Sequence, residues 1–327
     1  MKRLLFLLIL LLATPLTAQE DDQQPVEDLA DPDGTFITID DNQLYYIDLG
    51  ADDAPVVMLL HGFGGSTFTW RDTIQPLVDA GYRVVAYDRP PFGLSEKSAN
   101  IPLTLDAQAD QAVALMDALD IEQATLVGHS AGGGVISALT VNYPERIDAL
   151  VFVAGAVPLP VENEDQAQDN NDSPLGGLGE LAANLDPANP IARQIVRQFL
   201  TRDRFADILV SAYHPSFEVT DDIRAGYSRV LLAEDWELGL LTLLTADRAS
   251  DPFDVETFIT NAQAVLVAII WGEEDTWVPL TRGEQLAQGL PDAELITYPA
   301  VGHLPMEEDS TQFNADLLAF LTTVYES

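Results

Sequence analysis

Apolar runs and polar turns alternate along most of the chain, and their period shifts between that of a strand and that of a helix. From about Thr35, two β-branched and aromatic runs, TFITI and LYYIDLG, flank a polar turn at Asp40 to Asn42, the pattern of an antiparallel strand pair. A third run, PVVMLL, ends at His61. Helical and strand periods then take turns: Ser66 to Ala80 spaces its apolar residues as a helix, RVVAYD as a strand, Thr104 to Leu119 as a helix, ATLVG as a strand, Ala131 to Tyr143 as a helix and ALVFVAG as a strand. Strands without polar interruption fit a mostly parallel sheet covered by helices on both faces.

The alternation stops near Val157. Up to about Asp247 an acidic, amide-rich loop, ENEDQAQDNNDSP, precedes helical patterns only, among them IARQIVRQFL and RVLLAEDWELGLLTLLT. The sheet pattern resumes with AVLVAIIW, followed by a helix from about Pro279, the strand AELITY and a last helix from Ser310 to Tyr325. The expected organisation is one α/β domain, residues 34–156 and 248–327, interrupted by a helical insertion at 157–247.

The beginning of the chain follows a different rule. In MKRLLFLLILLLATPLTAQE, Lys2 and Arg3 precede an apolar run from Leu4 to Leu12, and Pro15 and the small residues up to Ala18 follow. That order is the one of a secretory signal peptide, so residues 1–18 are expected to direct export to the periplasm or the outside and to be cleaved. The alternative is a membrane anchor left uncleaved, but the run is short against the roughly 20 residues a spanning helix needs. Residues 19–33, acidic and with two prolines, read as a mobile linker. The chain has no cysteine, so neither a lipid on a cysteine nor a disulfide is available to it.

Charge narrows the partners. The 327 residues carry 53 acidic against 15 basic side chains, a net charge of −38. Such a surface repels nucleic acid and anionic membranes. A small-molecule substrate is the expected partner, with no stable membrane insertion after signal cleavage.

The candidate chemistry begins at Gly128-His129-Ser130-Ala131-Gly132, a G-x-S-x-G pattern. Three fixed positions mean little alone, but these lie between a buried-strand pattern and a small-residue helix. A tight turn there exposes a serine at the carboxyl edge of a sheet. A serine hydroxyl needs a base. Of the four histidines, His129 adjoins Ser130 on the turn and should point elsewhere, His61 ends a strand, and His214 lies in the insertion. His303 follows the last strand in a loop that can fold back over the serine. The base needs an acceptor, and Asp275, Glu273 and Glu274 all follow the strand AVLVAIIW at the same edge. An oxyanion would be met by two backbone N–H groups: that of Ala131, next to the nucleophile, and that of Phe63 in the glycine loop His61-Gly62-Phe63-Gly64-Gly65.

With these segments in hand, the sequence resembles the α/β-hydrolase family from about residue 35 to 325. The motifs HGFGGS, YDRPPFGLS, GHSAGG, WGEEDTWVP and GHLPMEE stand in the family's order. The resemblance implies Ser130 as nucleophile, Asp275 as triad acid, His303 as base, Phe63 and Ala131 as oxyanion donors, and residues 157–247 as a cap over the pocket. Pro91 stands where many relatives have glycine. A serine nucleophile argues against epoxide hydrolase and dehalogenase chemistry, which use aspartate there. The implied activity is hydrolysis of a carboxylic ester of a small to medium, mainly apolar substrate, with no metal or organic cofactor. A carbon–carbon bond hydrolase, a cofactor-free haloperoxidase or perhydrolase, and a ligand-binding protein with a vestigial triad are the alternatives.

Overall fold

A computed structural model of the chain describes residues 23–160, 186–246 and 253–326. Strands β1 (Gly34–Ile39) and β2 (Asn42–Leu49) pair antiparallel through a turn in which Asp40 and Asp41 both take positive φ, as a two-residue hairpin requires. Six more strands follow: β3 (Val56–Leu60), β4 (Arg83–Tyr87), β5 (Ala124–His129), β6 (Ile147–Val153), β7 (Leu266–Gly272) and β8 (Glu294–Tyr298). They form one sheet in the order β1-β2-β4-β3-β5-β6-β7-β8. β2 meets β4 antiparallel, and every pair from β4 to β8 is parallel.

The unbroken apolar runs are explained by two cores. Val57, Leu59, Val127, Val151 and Ile270 face one side, where Trp70, Leu77, Phe313 and Leu317 cover them. The alternate residues Met58, Leu60, Leu126, Leu150, Phe152 and Ile269 face the other. There the cover comes from helices α2 (Leu105–Ala118), α3 (Ala131–Asn142), α8 (Val255–Ala262) and α9 (Leu280–Gly289). Side chains alternate across a strand, so only a sheet buried on both faces needs apolar residues at every position.

The helix expected at Ser66 to Ala80 is instead a 3-10 turn, Thr67–Trp70, followed by the short helix α1 (Ile74–Asp79). Pro76 is the cause: its ring would collide with the carbonyl four residues earlier in a helix running through both segments. The Thr67 N–H is also drawn away, donating to the Asp88 carboxylate at 2.6 Å.

Between β6 and β7 the described residues are helical: α4 (Pro190–Phe199), α5 (Arg202–Val210), α6 (Asp221–Ser228) and α7 (Trp236–Thr245). They lie over the carboxyl edge of the sheet as a cap. The helices α10 (Pro305–Glu308) and α11 (Ser310–Tyr325) complete the domain.

The linker expectation needs correction for residues 23–33, which are docked on the cap. Gln24 bridges Ala233, Leu29 packs with Tyr45, Leu94 and Ala233, and Arg229 grips both oxygens of Asp31 at 2.6 and 2.7 Å. Acidic composition suggested a solvated tether, but its acid and amide partners are cap side chains some 200 residues away in sequence. The proposed signal, residues 1–18, and the loop ENEDQAQDNNDSP lie outside the described residues.

Candidate active site

β5 ends at His129 and α3 begins at Ala131, so Ser130 alone makes the turn from strand to helix. Its φ of 50° and ψ of −120° are disfavoured for an L residue, at a cost of roughly 1–3 kcal/mol. The surrounding backbone holds it there. The Ser130 N–H donates to the Val153 carbonyl at 2.9 Å, and its carbonyl accepts from the N–H groups of Gly133 and Ala156, both at 2.8 Å. Glycine gives the clearance: a Cβ on Gly132 would lie 2.3 Å from the Leu60 carbonyl oxygen, and one on Gly128 2.7 Å from that of Gly132.

Asp275 and His303 emerge from the loops after β7 and β8 and meet at 2.7 Å, Oδ2 to Nδ1, both buried. The other oxygen of Asp275 accepts from the N–H groups of Trp277 and Val278, at 2.8 and 2.9 Å. The carboxylate is thereby fixed, and it fixes the ring with the proton on Nδ1 and Nε2 left basic. Glu273 and Glu274 are exposed, and Glu273 accepts from the Thr297 hydroxyl. Geometry thus separates the three acids that sequence placed together. The Ser130 hydroxyl makes no hydrogen bond among the described residues. Such contacts are often long in ligand-free sites and tighten around substrate.

The two amides proposed for an oxyanion are free of other duty: neither the Phe63 nor the Ala131 N–H donates to a group among the described residues. The aim of the Phe63 amide follows from its peptide plane. The Gly62 carbonyl accepts from His61 Nδ1 at 2.7 Å and from the Gly65 N–H at 3.3 Å. In a trans peptide the N–H points opposite to the carbonyl, so the Phe63 N–H is turned away from His61. Gly62 lies against Ser130, since a Cβ there would be 2.9 Å from the Ser130 Cβ. The His61 tautomer is settled too, because Nε2 accepts from the Arg89 N–H at 2.9 Å and Nδ1 must carry the proton. Burial, then the Arg89 charge, holds this imidazole well below its usual range and keeps it neutral.

His129, expected to point elsewhere, instead sits beside His303 and lines the same cavity. Its Nε2 lies 2.9 Å from the His303 carbonyl, and the two rings are 4.8 Å apart. Burial first, then the His303 ring, pushes it well below its usual range, so it acts as a neutral donor. Sequence reasoning missed this contact and several others around His303. The His303 N–H donates to the Ala212 carbonyl of the cap at 2.8 Å. Glu308 accepts from the N–H groups of Gly302, Leu304 and His214. Buried Glu307 accepts from Arg71 at 2.6 Å, from the Tyr213 hydroxyl at 2.5 Å and from the Tyr227 hydroxyl. Burial raises the Glu307 carboxyl despite the Arg71 charge. The signal was present in GHLPMEE, whose two glutamates are the pins between the histidine loop and the cap.

Two cavities open at this place and share Phe63 and Gly65. One is lined by His303, Trp277, Thr69 and Tyr227. The other, which is larger, is lined mainly by Phe92, Phe205, Trp236, Leu240 and Leu243. Among the described residues no group of three or more His, Asp or Glu side chains is placed to hold a metal ion.

A family model described as the alpha/beta hydrolase fold matches residues 55–310. The chain belongs to that family. This alpha/beta hydrolase is 29% identical, over 85% of its length and 91% of the relative's, to a 2-hydroxy-6-oxononadienedioate/2-hydroxy-6-oxononatrienedioate hydrolase of Paraburkholderia phymatum. It is likewise 29% identical, over 86% of its length and 92% of the relative's, to a 2-hydroxy-6-oxo-6-phenylhexa-2,4-dienoate hydrolase of Comamonas testosteroni. Among solved structures, a bacterial membrane phospholipase A shares the fold at a TM-score of 0.69 and 20% identity, with each chain fully covered.

Proposed function

We propose that this hydrolase acts through an acyl-enzyme on Ser130. The observation that carries the reading is a strained serine, flanked by two amides committed to nothing else, with the Asp275–His303 pair emerging at the same edge of the sheet. His303 Nε2 takes the hydroxyl proton as Ser130 Oγ attacks a carbonyl carbon, and the Phe63 and Ala131 N–H groups receive the oxyanion. The proton then passes from His303 to the leaving group. Water, deprotonated by the same nitrogen, adds to the acyl-enzyme and frees the acid. Asp275 keeps the ring oriented and balances its transient charge.

An ester of a small to medium, mainly apolar acyl group is our leading substrate class, supported by the apolar lining of the larger cavity. Cleavage of a carbon–carbon bond beside a ketone is the second reading, favoured by the named activities of the two relatives. Both need the same acyl-enzyme. The N-terminal pattern further supports an exported enzyme, to be checked by N-terminal sequencing of protein recovered outside the cytoplasm.

The test is labelling with a fluorophosphonate, together with turnover of p-nitrophenyl esters and of 2-hydroxy-6-oxo-6-phenylhexa-2,4-dienoate. We expect labelling at Ser130, and Ser130→Ala should lose about a thousandfold or more in turnover while melting as the parent does. Turnover that survives in Ser130→Ala would sink the proposal. Faster cleavage of the dienoate than of any ester would select the second reading.

A further inference from the structure

The larger cavity is apolar except at one place. Lys97, in the loop after β4, lines it and is buried, and its Nζ donates to the Ser95 carbonyl at 2.7 Å. It forms no ion pair among the described residues, although carboxylates are abundant in this chain. Asp88, Glu96 and Asp235 are the acids whose fields reach it. The cap is shaped to leave it space: a Cβ on Gly239 of α7 would stand 3.2 Å from the Lys97 Cγ and 2.8 Å from the Pro91 carbonyl oxygen. A buried ammonium is costly unless paired and hydrogen-bonded, and this one uses a single acceptor for three N–H groups.

We propose that Lys97 anchors a carboxylate on the arm of the substrate that occupies the larger cavity, so that the enzyme prefers acyl compounds bearing a free acid group. The inference rests on the Ser130 reading. The scissile carbonyl sits at Phe63, one of the two residues both cavities share, and the arm extends from there along the apolar wall to Lys97. A carboxylate would supply the missing acceptor through a charge-assisted hydrogen bond inside a low-dielectric pocket, where it is strongest. The net charge of −38 repels anions at long range, so this recognition belongs to the pocket and not to the surface. Burial has lowered the Lys97 amine to about 8, with the three acids opposing the shift. Anchoring should therefore weaken as pH rises past that value.

The experiment compares mono-p-nitrophenyl glutarate with neutral p-nitrophenyl butyrate in the parent enzyme, in Lys97→Met and in Lys97→Arg. The ratio of their kcat/KM values should fall tenfold or more in Lys97→Met, through KM, and recover in part in Lys97→Arg. In the parent, KM for the glutarate ester should rise above about pH 8 while KM for the butyrate stays flat. Monomethyl glutarate gives a readout that needs no turnover: it should raise Tm of the parent and not of Lys97→Met. An unchanged ratio, a flat pH profile in the parent, or equal protection of both proteins overturns the inference. A parent enzyme that is protected by monomethyl glutarate but cleaves neither ester would count against the Ser130 reading instead.

Discussion

The turn at Ser130 and the seat of the cap lie at the same edge of the sheet but are held in different ways. The turn is fixed by backbone hydrogen bonds and by glycines in contact with backbone, with no ionisable side chain in the contacts that hold it. The cap is seated by carboxylates as well as by apolar packing. Glu307 binds Arg71 and the cap hydroxyls of Tyr213 and Tyr227, Asp31 binds Arg229 of the cap, and within the cap Glu237 joins Arg193 and Arg197 and reaches back to Gln23. The position of Ser130 is therefore a property of the sheet. The position of His303, whose N–H is tied to the cap at Ala212, is partly a property of carboxylate chemistry.

Changes on the two sides should separate them. The largest effect on stability is expected for Glu307→Ala, which takes the shared acceptor from a half-buried guanidinium and two buried hydroxyls. It should cost about 3–5 kcal/mol in urea denaturation, with earlier proteolysis in the cap. Next comes Asp88, whose buried carboxyl joins two loops at the same edge of the sheet, accepting from the N–H groups of Thr67 and Leu94. Burial raises it to about 6, outweighing those hydrogen bonds. A carboxyl raised on folding is better tolerated when protonated, so stability is lost as pH rises from the unfolded value near 4 through about 6. The stability of the parent relative to Asp88→Asn should fall by roughly 3 kcal/mol across that window, read from denaturation at fixed pH values. His61→Leu frees the Gly62 carbonyl and should lower kcat about 10- to 100-fold with a smaller change in KM. An equal rise in KM would show that the amide of Phe63 was not the group affected. Smallest is Arg224→Ala, which removes an exposed pair with Asp207 and should change stability by under about 0.5 kcal/mol.

The sheet was legible in the sequence because its rule is local. Every strand from β3 to β7 is an apolar run, and β1 and β2 flank a two-residue aspartate turn. Ser130 was singled out through its place between strand and helix, and His303 through its place after the last strand. What sequence did not disclose depends on partners far along the chain. Pro76 was read as one more residue of a helix because its clash is with a carbonyl four residues back. Glu237, Glu307 and Asp31 looked like members of an acidic surface. Each is an anchor only because an arginine is delivered to it from another element, as Arg71 reaches Glu307 from 236 positions away. His129 was set aside as a base, and its bond to the His303 carbonyl spans 174 positions and left no local trace.

The docked segment at the start of the described chain also bears on how the molecule assembles. Gln24 donates to Leu232 and accepts from Glu234, and Gln23 reaches Glu237 across 214 positions. Closing so long a loop is entropically dear, and its cost is recovered only once the residues between have already collapsed. The first described residues of the chain are thus committed to partners synthesised some 200 residues later. In native-state hydrogen exchange, this segment and the cap around Leu232 should open together, well before the sheet that carries Ser130.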